Sequence, residues 1–215
     1  MDAGLFDEVN RFAVATPWLH ALLTGYAAYG VVLFAALMLA GWWYARRTGR
    51  PDQVAVALLV PVATALAVAV NQPFVSLFHE ARPYTSHPGI LVLATRSTDF
   101  SFPSDHSVMA GAAAVALWFV SRRLGVVTTV AALVMGFSRV YIAAHYPHDV
   151  LAGLVLGALV ALIVVPLARP VVTRLVTALG RTPLRPLLTA EPPVSPGPVP
   201  AGAGPGRTPP EVSGR

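Results

Sequence analysis

The apolar and polar positions of this chain fall into long blocks, not short alternations. Five stretches, at about 22–44, 53–78, 107–120, 126–144 and 150–167, are almost wholly apolar. The third is short, but adding 104–106 brings it near the required length. Crossing the hydrocarbon core of a bilayer takes about 20 mostly apolar helical residues. One such run would suit a buried core helix. Five in one chain, with few charges inside them, predict membrane spans. Segment 2–16 has a different pattern: Leu5, Phe6, Val9, Phe12 and Ala13 recur at helical spacing, with Asp7, Glu8 and Arg11 elsewhere around the turn. That predicts a short amphipathic helix lying at the membrane surface. It lacks the basic start of a secretory signal, and no cleavage is expected. The predicted fold class is an all-α integral membrane protein, a bundle of about five transmembrane helices plus an N-terminal interfacial helix.

Composition narrows the function classes. Of the 215 residues 55% are hydrophobic and only 12% charged, against about 25% charged in a typical soluble domain. A freely soluble enzyme and a wholly disordered chain are both excluded. Cysteine is absent, which removes disulfides, thiolate metal sites and a cysteine nucleophile. The net charge of +5 is carried by arginine alone, because the chain contains no lysine. Those arginines sit mostly at the ends of apolar runs, which is a topology signal and not a nucleic-acid one. Arg46, Arg47, Arg50, Arg122, Arg123, Arg169, Arg174, Arg181, Arg185, Arg207 and Arg215 fall on one side, and Arg11, Arg82, Arg96 and Arg139 on the other. The richer side is expected in the cytoplasm. Residues 186–215 hold nine Pro and five Gly, so the chain divides into a membrane domain over 1–170 and a cytoplasmic, largely disordered tail over 171–215.

The arginine-poor side gathers His79, His87, His106, His145 and His148 with Glu80, Asp99, Asp105 and Asp149. Ionisable groups concentrated at one membrane face mark a site. Three clusters carry them. In the first, Asn71, Val75, His79 and Arg82 share a helix face by spacing, and Pro83 is expected to end that helix. The second, Ser101-Phe102-Pro103-Ser104-Asp105-His106-Ser107, reads as a helix start with Ser104 at the N-cap. A helix N-terminus is a ready anion site, and capping alone does not explain His106. In the third, Ser138-Arg139 leads to His145-Tyr146-Pro147-His148-Asp149. Pro147 suits the first turn of the next helix, and Asp149 then lies near His145, able to fix its tautomer.

Two Arg, two His, a helix start and an Asp suit phosphoryl transfer. That reaction needs cationic donors for the phosphoryl oxygens, an in-line nucleophile, and an acid for the leaving oxygen. Arginine supplies planar, permanently charged donors, an Asp-oriented His can attack phosphorus, and the other His can protonate the leaving group. The residues alone leave two other readings open: a non-enzymatic lipid-phosphate binder or transporter, and a metal site using His106, His145 and Asp149.

At these positions the chain resembles the phosphatidic acid phosphatase type 2 superfamily, whose blocks are Lys-x6-Arg-Pro, Pro-Ser-Gly-His and Ser-Arg-x5-His-x3-Asp. Arg82-Pro83, Pro103-Ser104-Asp105-His106 and Ser138-Arg139-x5-His145-x3-Asp149 occupy the three blocks. Two positions depart: Val75 stands where the first block has Lys, and Asp105 where the second has Gly. Both departures, with Asn71-Gln72 and Ser101 to His106, are similar to the bacterial undecaprenyl-diphosphatase branch. The resemblance implies His145 as nucleophile through a phosphohistidine, Asp149 as its orienting carboxylate and His106 as general acid. It also implies that Arg82, Ser104, Asp105 and Arg139 hold phosphate, with His79 standing in for the missing lysine. No cofactor or metal is implied. The expected substrate is a polyprenyl diphosphate lipid, with another lipid phosphate as the alternative. The expected location is a bacterial plasma membrane, with the site on the extracytoplasmic face.

Overall fold

The computed structural model describes residues 2–190, with side chains from Gly4 onward. The expected tail lies mostly outside those residues. Among the described residues the regular structure is all helical, without strands, and a long loop separates its fourth and fifth helices. Helix α1 (Asp2–Ala15) and a 3-10 turn (Pro17–Leu19) lead into α2 (His20–Arg47) and α3 (Pro51–Phe78). A short α4 (Pro83–Ser86), then α5 (Asp105–Val120), α6 (Arg122–Tyr141), α7 (Pro147–Leu179) and a short α8 (Arg185–Leu188) follow. Four segments, containing α2, α3, α6 and α7, are long and apolar enough to cross a membrane, and α5 is a shorter apolar helix. At 1.5 Å per residue its 16 residues span about 24 Å.

That short helix sits at the centre of the bundle, between α3, α6 and α7. Its residues explain why. Ala110, Ala112, Ala113, Ala114 and Ala116 are buried almost all round it. It crosses α7 at a glycine contact, since a Cβ on Gly157 would overlap the Val108 carbonyl and one on Gly111 would overlap that of Leu154. Small residues of this kind let helix backbones meet in a membrane, where close packing must do what the hydrophobic effect does in water.

Three local features differ from the sequence reading. Helix α3 stops at Phe78 because His79 takes a left-handed conformation, with φ of 48°. Arg82 therefore reaches its place on an extended segment, not on the face shared by Asn71 and Val75, and Pro83 starts α4 instead of ending α3. Helix α7 runs on through Pro166 and Pro170 to Leu179, so residues 171–179 are helical and Val176 joins the core. Lastly, α1 buries Phe6, Asn10 and Ala13 against the protein while Leu5 and Phe12 stay exposed. The Asn10 side chain donates to the Leu91 carbonyl and accepts its N–H, which ties α1 to the long loop before α5.

At the opposite end, Arg169 on α7 pairs with Asp52 in the first turn of α3 at 2.7 Å. The Trp42 indole donates to the Leu187 carbonyl, and Arg46 stacks on Trp42 and Trp43. The arginine-rich ends are thus gathered at one end of the bundle, and the polar clusters at the other.

Candidate active site

His145 is set by the way α6 ends. Ala143 has a positive φ of 61°. Around it the Ala143 N–H bonds to the Val140 carbonyl and the Ala144 N–H to that of Arg139, the paired bonds of a Schellman turn. The chain leaves this turn at His145, and Tyr146 becomes the N-cap of α7 with Pro147 in its first turn. Asp149, at the third helical position, accepts the Tyr146 N–H at 2.8 Å.

The His145 ring is almost wholly buried. Its Nδ1 lies 2.8 Å from the Ser101 carbonyl, an acceptor only, so Nδ1 carries the hydrogen. Asp149 Oδ2 stands 3.5 Å from the same nitrogen and accepts a short bond from the Ser101 hydroxyl. Nε2 is thereby left as a lone-pair nitrogen on the cavity side, 3.2 Å from Arg82 Nη1. Burial chiefly, and then the Arg139 and Arg82 charges, push the His145 pKa below the ordinary histidine value against the raising effect of Asp149.

Arg82 is braced by backbone. Its Nε donates to the Asp99 carbonyl at 3.0 Å and its Nη1 to that of Ala144 at 3.1 Å. Arg139, at the end of α6, has a buried Nε without a protein partner, and its Nη1 lies 3.5 Å from the Ala27 carbonyl on α2. Arg82, Asp105, His106, Arg139 and His145 line one cavity of about 440 Å³. A second cavity of about 250 Å³ adjoins it, sharing His106 and Arg139 in its wall.

The structure thus brings Arg82, His106, Arg139, His145 and Asp149 into one place from three separate stretches of chain. Ser104 occupies the N-cap of α5, but makes no side-chain cap bond, and its buried hydroxyl has no protein partner. Asp105 stands at the cavity wall with Oδ1 accepting from the amides of Asn71 at 2.8 Å and Gln72 at 3.0 Å. Those two amides engage Oδ1 from the α3 side. His79 is not in the cavity lining: it is exposed and packs edge-on against Phe100, with centroids 4.5 Å apart. With the helix ended beneath it, His79 is not carried toward the place of the missing lysine. Sequence reasoning assigned no role to Ser101, whose carbonyl and hydroxyl meet His145 and Asp149. No local pattern reveals it, because its partners lie 44 and 48 residues away.

What this set of groups can do is bind and transfer a phosphoryl group: two guanidinium groups, one lone-pair imidazole nitrogen with its tautomer fixed, and a second imidazole share a single cavity. Comparison with known proteins agrees. The chain is 27% identical over 160 residues to undecaprenyl-diphosphatase BcrC of Bacillus subtilis, covering 74% of this chain and 80% of that one. It is 31% identical over 164 residues to the bacitracin transport permease protein BcrC of Bacillus licheniformis, covering 76% and 79%. Its fold matches that of a transmembrane PAP2 type phosphatidylglycerolphosphate phosphatase from Bacillus subtilis, with a TM-score of 0.59, 22% identity and coverage of 79% and 87%. Aquifex aeolicus LpxE matches with the same TM-score at 24% identity, covering 77% and 94%. The PAP2 superfamily model matches residues 56–171, the stretch that holds every one of these cavity groups, and the chain therefore belongs to that superfamily as a membrane lipid phosphatase.

Proposed function

We propose that the protein hydrolyses a polyprenyl diphosphate, of the undecaprenyl type, to the monophosphate and inorganic phosphate. The observation that carries the mechanism is the His145 tautomer: Nδ1–H is committed to the Ser101 carbonyl, so Nε2 faces the cavity as a nucleophile. Nε2 attacks the terminal phosphorus, and the bond from that phosphorus to the bridging oxygen breaks. Arg82 and Arg139 hold the equatorial oxygens as charge builds on them. His106 gives its proton to the departing lipid monophosphate. Water then attacks phosphorus, His106 takes the water's proton, and the N–P bond breaks to release phosphate. Asp149 stabilises the positive charge that His145 carries in the intermediate.

The choice of lipid rests on the relatives named undecaprenyl-diphosphatase and on Asp105, clamped by Asn71 and Gln72, in a chain without lysine. The location rests on the arginine count: the site end of the bundle is the arginine-poor end, which faces out of a bacterial plasma membrane, and the chain beyond α8 lies in the cytoplasm. A long prenyl tail can then stay in lipid while its headgroup enters the cavity.

The test is phosphate release by detergent-purified protein in EDTA, from undecaprenyl diphosphate beside phosphatidylglycerol phosphate and phosphatidic acid. The proposal predicts chelator-insensitive release favouring the prenyl diphosphate. Turnover of another lipid alone would keep the chemistry and discard the substrate. Tight binding with no release from any lipid would favour a binder or transporter.

A further inference from the structure

Two polar side chains behind Asp149 have no part in the chemistry so far. Position 148 lies in the spacer of the His-x3-Asp block, where that pattern fixes no residue type. His148 Nε2 is 3.0 Å from the Glu80 carboxylate and 3.1 Å from Asp149 Oδ1. A nitrogen facing two carboxylates carries its hydrogen; it donates to Glu80, and it stands in close electrostatic contact with Asp149 Oδ1, which takes no hydrogen bond of its own among the described residues. The His148 ring stacks on Tyr146 with centroids 5.6 Å apart and planes 11° apart, and Phe102 covers it at 5.6 Å. The imidazole is therefore held in place.

Asp149 has zero exposure, and its two oxygens have different tasks. Oδ2 takes the Tyr146 N–H and the Ser101 hydroxyl on the side of His145. Oδ1 points to His148. A carboxylate held at one oxygen can still turn about the bond to its side chain, and the His148 ring packed 3.1 Å from the other oxygen limits that turn. Glu80 acts twice in this arrangement. Its side chain holds His148, and its backbone carbonyl accepts the Ser101 N–H at 2.8 Å. Ser101 is the residue whose carbonyl fixes the His145 tautomer, so both routes from Glu80 end at the same imidazole.

We infer that Glu80 and His148 are positioning residues, a chain from Glu80 through His148 to Asp149 that fixes the carboxylate plane and, through it, the aim of His145 Nε2. The inference rests on the reading of His145 as the nucleophile. Outer partners that orient a functional group commonly matter about 10- to 100-fold in activity, and a small misplacement of reacting atoms costs as much. The same three side chains bring donor atoms within 4.8 Å of one another, a spacing that would also suit a divalent cation, and the test separates the two.

The experiment uses the full chain in detergent with EDTA, assayed on undecaprenyl diphosphate. His148→Leu keeps bulk and removes the donor, and it is expected to lower kcat about 10- to 100-fold with little change in KM. His148→Gln restores a donor and recovers most of the loss. Glu80→Ala gives a smaller loss of the same kind, and Glu80→Ala/His148→Leu together lose no more than His148→Leu alone, as members of one chain should. Thermal unfolding checks that each variant is folded. Wild-type kcat in folded His148→Leu, or losses that multiply in the double variant, would overturn the inference. So would wild-type activity that vanishes in EDTA and returns with one divalent cation. A wild type inert on every lipid phosphate would overturn the parent reading as well. Normal wild-type turnover beside unimpaired variants would remove the positioning pair alone.

Discussion

At His145 the structure balances two opposed demands. Burial and two nearby guanidinium groups disfavour its charged form, while Asp149 favours it, and the first group wins. A lowered pKa keeps the imidazole neutral, and so nucleophilic, to more acid pH than an ordinary histidine with its value of about 6.5. The acid limb of kcat/KM is therefore predicted to lie below that value. Activity should persist as pH falls through the ordinary histidine range and be lost only once His145 itself protonates. A pH profile in detergent, with thermal unfolding followed over the same range, checks this; an acid limb above 6.5 would contradict it. The His145-x3-Asp149 pairing was legible in the sequence because one helical turn suffices to bring those residues together. The Ser101 carbonyl was not, because a backbone acceptor 44 residues away leaves no residue-type signature. Asp105 was legible as an anomaly, but its resolution by two amides needed the α3–α5 contact.

The helices themselves were largely readable, since apolar runs of membrane length leave the backbone little choice. Their ends were less so. A left-handed residue at His79 stops α3 before the proline that marks the boundary in the sequence, and α7 passes two prolines that usually interrupt helices. The element contact that matters most for the site is α5 against α7, because His106 rides on one and Asp149 on the other. Gly157→Ala places a methyl group into the Val108 backbone, and overpacking of this kind costs about 1–3 kcal/mol. It is predicted to lower thermal stability and kcat together. Gly25→Ala, where a Cβ meets nothing within 4 Å, should leave both unchanged. Equal stability and activity in the two variants would show that the crossing is more tolerant than its geometry implies.

For the molecule as a whole, the two ends of the bundle have separate chemistry. One end is tied by Arg169 to Asp52 and by Arg46 to the Trp42–Trp43 pair. The other carries α1, the loop before α5 and the cavity. Charge counting located both ends without a structure, because arginine placement relative to apolar runs is a property of the sequence. How the clusters converge was not legible in that way, since it depends on a 16-residue central helix and on an extended segment delivering Arg82. Convergence on His145 Nε2 is the central claim, and trapping the phosphorylated enzyme tests it most directly. Protein mixed with undecaprenyl diphosphate labelled in its terminal phosphate, in EDTA, is quenched under alkaline denaturing conditions that preserve phosphohistidine. The account predicts label on His145 at Nε2, absent from His145→Ala, with turnover in that variant lower by several orders of magnitude. Label on another residue, or full turnover without any phosphoenzyme in wild type or in His145→Ala, would contradict it.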